Sequence, residues 1–300
     1  MLFRSQRKLT LYLVNNKWGE PRGRTASTHI LKPNIEGFAG QAQNEMFCIR
    51  LAPMLDLPAP PCWVEIFGDI PVVIIQRYDR QRYKGKKLLK LTESGGEVHR
   101  VHQEDMCQAL KVHPASKYQR EGGPGIKKIM DLLSGSSEPS VDRDRFMRAC
   151  AYNYVIGASD AHAKNYSVLL TNGGRFRLAP LYDVASWLPY SKGQNDAKLA
   201  MSVDGYHDYN SLQPRHWQAT AKKCGYDAPR ILAHIRDLLA RLPDAIVQLL
   251  EICRTEGLAN LDLDNLCKML TGRVVSLKRL YGAETMKSPR YGRDFIAAKP

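Results

Sequence analysis

The chain has 300 residues, 44% of them hydrophobic, which is enough apolar material for one large domain or two lobes with a packed core. A formal charge of +14 favours acidic partners such as nucleotides, nucleic acid or an acidic protein. The seven cysteines are odd in number, dispersed and never spaced C-x-x-C, which excludes a disulfide framework or zinc ribbon and suits free thiols in a reducing cytosol. No apolar run is long enough to span a membrane, and residues 9–14 are too short for a signal peptide, so the reading is a soluble cytoplasmic protein with no membrane partner.

The first part of the chain reads as β-rich. Residues 8–14 alternate as a strand and Asn15-Asn16-Lys17-Trp18-Gly19 supplies turn chemistry. THILK at 28–32 is a short strand ended by Pro33, and 36–55 has helical spacing with Met46, Ile49, Leu51 and Met54 on one face. Residues 62–67 and 70–76 read as a hairpin around Gly68-Asp69. Beyond residue 80 the pattern turns helical, over 103–110, 125–133, 142–156, 211–223, 228–250 and 261–281. Two exposed loops are expected at 84–96 and 192–197. The predicted architecture is α+β and bilobal, with a β-rich small lobe at 1–82 and a mainly helical lobe at 83–300.

Between two apolar runs lies GASDAHAKNYSVLL (157–170), followed by LAPLYDVAS (178–186). Asp160 stands five residues before Asn165, and Asp183 follows after a short loop. Phosphoryl transfer from a nucleoside triphosphate needs such groups: one carboxylate to orient and accept the proton of an attacking hydroxyl, and an amide and second carboxylate to hold Mg2+ against the phosphates. Taken alone, the loop has two other readings. Asp, His and Asn between apolar runs serve as turn and cap residues, and Asp160 with His162 could form part of a metal site, although no further His or Cys stands at ligand spacing.

The chain resembles the HipA-like serine/threonine kinases, toxins of bacterial type II toxin–antitoxin modules. The matching stretches are STHILKP (27–33), NEMFCIRLA (44–52), QRYDR (76–80), HQEDMCQAL (102–110), KYQREGGPG (117–125), ASDAHAKNYSVLL, LAPLYDVAS and KLAMSV (198–203), in family order from about residue 5 onward. The resemblance implies a protein-kinase-like fold using ATP and Mg2+. It makes Lys32 the strand lysine at the nucleotide phosphates and Glu45 its acidic partner. Gln76, Arg77 and Tyr78 become the hinge beside the adenine, although the family often has Glu where Gln76 stands. Asp160 matches the catalytic base, and Asn165 and Asp183 the two Mg2+-binding positions. His162 and Lys164 shape the loop or touch phosphate and substrate oxygens.

The opening MLFRSQRK departs from the family. A small N-terminal subdomain of roughly a hundred residues usually comes first, and a Gly-rich loop covers the phosphates; here only Gln6 and Lys8 match that loop's end, with Arg4 at a glycine position. Ser5 lies near the region where family members autophosphorylate. A separate small protein would then supply the missing subdomain, or the chain is a catalytically impaired remnant, or residues 1–8 rebuild the loop. The expected function is transfer of the ATP γ-phosphate to a protein serine or threonine, on a translation component such as an aminoacyl-tRNA synthetase, causing growth arrest. The alternative is a kinase-fold binding module acting as co-repressor with a helix-turn-helix, HipB-like antitoxin. In that case the basic stretches at 4–24, 77–90 and 273–293 would meet DNA phosphates only through the complex.

Overall fold

The computed structural model describes residues 6–191 and 198–282. The expected loop at 192–197, Arg4, Ser5 and the end of the last basic stretch lie outside the described residues. The first unit is an antiparallel five-stranded sheet, built from β1 (Leu9–Val14), β2 (Lys17–Gly19), β3 (His29–Pro33), β4 (Cys62–Phe67) and β5 (Ile70–Gln76) in the order β2-β1-β3-β5-β4. Asn15 and Asn16 take φ of 48° and 58°, the left-handed pair that makes a tight hairpin turn. The turn therefore continues into a second, short strand at 17–19, which the turn-rich sequence did not suggest.

Helix α1 (Gln41–Met54) packs between this sheet and the helical unit. It is buried on nearly all sides, including the polar Gln41, Gln43, Asn44 and Glu45. The helix starts at Gln41 and not at 36 because Gly37 and Gly40 take φ of 82° and 68°. Its C-terminal carbonyls, which have no intrahelical partners, are held by two buried arginines from the other unit. Arg148 donates to Leu55 O at 3.0 and 3.1 Å and Arg241 to Met54 O at 2.9 Å. Arg50 makes a two-pronged pair with Glu256 at 2.6 and 2.9 Å. The helix that carries Glu45 is thereby tied to the rest of the molecule at its far end.

After β5 the chain forms a small sheet in the order β7-β6-β8 from β6 (Arg80–Lys84), β7 (Lys87–Leu89) and β8 (Glu97–Arg100). This sheet occupies part of the stretch expected to be loop. Residues 103–110, expected as one helix, divide into β9 (Gln103–Asp105) and α2 (Met106–Ala109). The cause is Asp105, whose carboxylate caps α2 in a capping box with Gln108. Next come α3 (Ile126–Leu133), α4 (Pro139–Val155), β10 (Ser167–Leu170) and β11 (Phe176–Leu178), with β9, β10 and β11 paired in the order β11-β10-β9. The hairpin of β12 (Lys198–Val203) and β13 (Tyr206–Asp208), then α5 (Pro214–Lys223), α6 (Ala228–Thr255) and α7 (Leu261–Tyr281), complete the described residues. Helices α4 and α5 begin at prolines, which fit the first helical turn where an N–H has no partner in any case. One contiguous apolar core runs from Met46, Phe47 and Leu51 of α1 through Phe146 and Tyr152 of α4 to Leu238 and Leu242 of α6. All seven cysteines are buried free thiols.

Candidate active site

Strand β3 places Lys32, 3% exposed, on the face of the sheet that meets α1. Its ammonium donates to Glu45 Oε1 at 2.5 Å and to Asp183 Oδ1 at 2.7 Å. Burial pulls the lysine's pKa down, but Asp183 and Glu45 outweigh it and hold the amine above its ordinary range, firmly charged. For Asp183 burial acts to raise the carboxyl, but the combined pulls of Lys32, Lys8 and His162 keep it below the usual carboxylate range. Glu45 Oε2 accepts from Gln41 Nε2 at 3.2 Å, and Gln6 Nε2 donates to Gln41 Oε1 at 3.0 Å and to Pro33 O at 2.8 Å. A continuous polar chain thus leads from residue 6 to Asp183.

The loop after α4 turns at Gly157, with φ of 71°. Asn165 Nδ2 donates to Asp160 O and to Asp183 O, each at 3.2 Å, joining the two aspartates through their backbones. Asp183 takes φ of 57°, a left-handed conformation that a non-glycine keeps only when its surroundings enforce it. Asn44 supplies more of that support. Its amide donates to Ser186 O at 2.8 Å and its carbonyl accepts from Ser186 N at 2.9 Å, clipping the segment after Asp183 to α1.

Asp160 Oδ1 accepts a 2.7 Å bond from the Tyr118 hydroxyl. Burial raises its carboxyl to about 6, against the opposing pull of Tyr118 and Lys117. His162 is buried and its imidazole is lowered to about 4, by burial first and then by Lys117, so it is neutral at pH 7. Its ring meets Tyr118 edge-on at 5.2 Å. Lys164 reaches to Asp105 Oδ2 at 2.5 Å, and its carbonyl accepts from Tyr182 at 2.8 Å.

Gln76 pairs with His29 at the end of β3 opposite Lys32, about 10 Å along the strand. The N–H of Gln76 bonds Pro61 O at 2.9 Å and that of Arg77 bonds Thr28 O at 2.8 Å, so both are engaged inside the fold. The Arg77 guanidinium grips Asp79 at 2.7 and 2.9 Å. Tyr78 bonds Gln103 at 2.6 Å and its ring lies 5.8 Å from that of Tyr182, next to Asp183. The structure thus joins Lys32, Glu45, Asp160, Asn165 and Asp183 in one hydrogen-bonded set. It sets Gln76, Arg77 and Tyr78 at the other end of the same strand pair, and it engages Lys164 elsewhere. The reading of the sequence missed Tyr118, Asn44 and Gln41. The first two lie in stretches already singled out (KYQREGGPG and NEMFCIRLA), but nothing in those stretches announces their partners.

The donor set fits Mg2+. Asn165 and Asp183 offer hard oxygens, and the Asp183 side chain is 36% exposed. Among the described residues no group of three or more His, Cys, Asp or Glu could form a cage. One carboxylate and one amide suit a small cation shared with substrate phosphates.

The HipA-like C-terminal domain family matches residues 5–246, a span that contains all five joined residues. The chain belongs to this family. Among its curated relatives is the putative kinase Y4mE of Sinorhizobium fredii, 36% identical over 248 residues, covering 82% of this chain and 56% of the relative. The serine/threonine-protein kinase toxin HipA of Shewanella oneidensis is 28% identical over 258 residues, with the same 82% and 56% coverage. The chain therefore spans about half the length of the curated relatives it matches. In a solved complex of Shewanella oneidensis HipA, HipB and operator DNA, one chain superimposes with a TM-score of 0.80 at 24% identity, covering 94% of this chain and 65% of that one. The Helicobacter pylori proinflammatory kinase CtkA gives 0.52 at 11% identity, covering 94% and 90%. The fold is thus the bilobal α+β fold of HipA-like kinases.

Proposed function

We propose that the chain is an ATP- and Mg2+-dependent protein kinase of the HipA-like family, acting on a serine or threonine. The observation that carries this reading is the shared lysine. A buried ammonium held between a helix carboxylate and a left-handed aspartate, which Asn165 couples to Asp160, has no need of that geometry for stability alone. In this reading Lys32 binds the triphosphate on a rigid strand and Glu45 keeps it there. Asn165 and Asp183 hold Mg2+, which neutralises phosphate charge when bound. The residues from Gln76 to Tyr78 border the base, where Tyr78 and not the engaged N–H groups of Gln76 and Arg77 remains to meet it. Asp160 orients the substrate hydroxyl and takes its proton as the oxygen bonds to the γ-phosphorus and the bond to the ADP oxygen breaks. His162 and Lys164 shape the loop, the first by packing on Tyr118 and the second through Asp105.

The same reading divides the chain into a small lobe at 1–82 and a larger lobe at 83–300, with the nucleotide between them. The Shewanella complex named for HipA, HipB and DNA supports a helix-turn-helix antitoxin as partner, with DNA reached through it. The wider assignment follows the same family logic: a translation component as substrate, growth arrest as outcome and the cytoplasm as location. The test is transfer of labelled γ-phosphate from ATP to protein by the purified chain, with Asp160→Gln as the control.

A further inference from the structure

Tyr118 belongs to a stretch, residues 117–125, that is pinned from several sides. Ala163 N, in the candidate catalytic loop, donates to Lys117 O at 3.4 Å, and Ser202 N on β12 donates to Gln119 Oε1 at 2.8 Å. The Tyr118 carbonyl accepts from Glu121 N at 2.9 Å and Gly123 N at 3.0 Å. Tyr118 is 8% exposed and two cations lie over its ring, Lys117 at 5.1 Å and Arg120 at 5.5 Å from the centroid. With His162 edge-on at 5.2 Å, the phenol has little freedom to turn away from Asp160.

We propose that Tyr118 is a positioning residue for phosphoryl transfer, its phenol fixing one carboxylate oxygen of Asp160 so that the other is presented to the hydroxyl to be phosphorylated. The proposal rests on the kinase reading given above. Three facts bear it out. The contact is short, 2.7 Å, and is made to the carboxylate oxygen itself. The two residues come from separate segments, 42 positions apart, each anchored by its own backbone bonds. Burial, then the neighbouring Asp160 charge, pushes the phenol's own ionisation far up, so it stays a donor at working pH and relays no proton.

The experiment compares wild type with Tyr118→Phe, which keeps the ring and its packing. The ionisation of Asp160 is followed by carbon-13 NMR of its side-chain carboxyl, assigned by loss of the signal in Asp160→Asn, and the pH profile of phosphate transfer is measured beside it. Loss of one hydrogen bond to a charged group predicts a carboxyl midpoint about one pH unit higher in Tyr118→Phe. The acid limb of kcat should move up by the same amount, so that kcat falls about twofold at pH 7 and roughly tenfold below pH 6, with the KM for ATP unchanged. An unmoved Asp160 midpoint, or a moved midpoint with an unmoved acid limb in an active enzyme, overturns the role. A midpoint that moves while neither protein transfers phosphate overturns the kinase reading instead, and the role with it, leaving only the contact.

Discussion

Replacing Asp160 by Asn separates the fold's need for this residue from the reaction's need. The wild-type carboxyl titrates at about 6, against an ordinary value of 3.8. That gap of about two units corresponds to an upper bound of about 3 kcal/mol by which the folded state disfavours the charged form. Asn has nearly the same shape, can accept the Tyr118 hydrogen bond through its carbonyl, and leaves the backbone bonds from His162 and Asn165 to the residue-160 carbonyl in place. The variant should therefore be the more stable protein at pH 8, by roughly 1–3 kcal/mol once local relaxation is allowed for. The sign follows from the direction of the shift. Below about pH 4 the carboxyl is protonated both folded and unfolded, so no charge is buried and the two proteins should match. Between about 4 and 6 the unfolded chain ionises first and wild type loses ground; above 6 the loss is complete. Urea unfolding of both proteins from pH 4 to 8, with the slope of the transition checked for constancy, reads this directly. A difference that is absent at pH 8, that is constant with pH, or that favours wild type would refute the reasoning.

Two further outcomes follow from the packing around the site. Lys32→Met leaves the Glu45 and Asp183 carboxylates facing a buried site with no cation, so stability at pH 7 should fall by about 3–5 kcal/mol, with part recovered at acid pH as the carboxyls protonate. Unchanged urea stability across that range would show that the three groups are not coupled. In Gly123→Ala the added Cβ would stand 2.2 Å from the Ser116 carbonyl, so the stretch carrying Tyr118 must shift. A loss of about 1–3 kcal/mol and faster proteolytic cutting between 111 and 125 are expected, and wild-type resistance to cutting would contradict the tight packing.

Those residues that act through charge at fixed spacing were visible in the sequence. Asp160, Asn165 and Asp183 lie within 24 residues of each other, and Lys32 ends a short β-prone run closed by Pro33. Four strands of the five-stranded sheet and five of the helices were legible from β-prone runs and apolar spacing, whereas β2 lay in turn-rich sequence. Helix α1 was legible only in part: buried on both sides, it draws polar residues into the interior and blurs the period. The small sheet of β6, β7 and β8 was hidden because its strands are three to five residues long and carry lysines and arginines. Tyr118 and Asn44 were unreadable for another reason. Their partners lie 42 and 142 positions away, and a hydrogen bond made only when two anchored segments meet leaves no local pattern. The engagement of the Gln76 and Arg77 N–H groups by Pro61 and Thr28 was likewise a matter of strand register.

The most direct test of the kinase reading is phosphate transfer itself. Purified protein is incubated with γ-labelled ATP, Mg2+ and an extract of proteins, and label on serine or threonine is followed over time. The account predicts Mg2+-dependent transfer that Asp160→Gln removes while leaving the protein folded. Label that appears equally with Asp160→Gln, or no transfer by wild type, would contradict it.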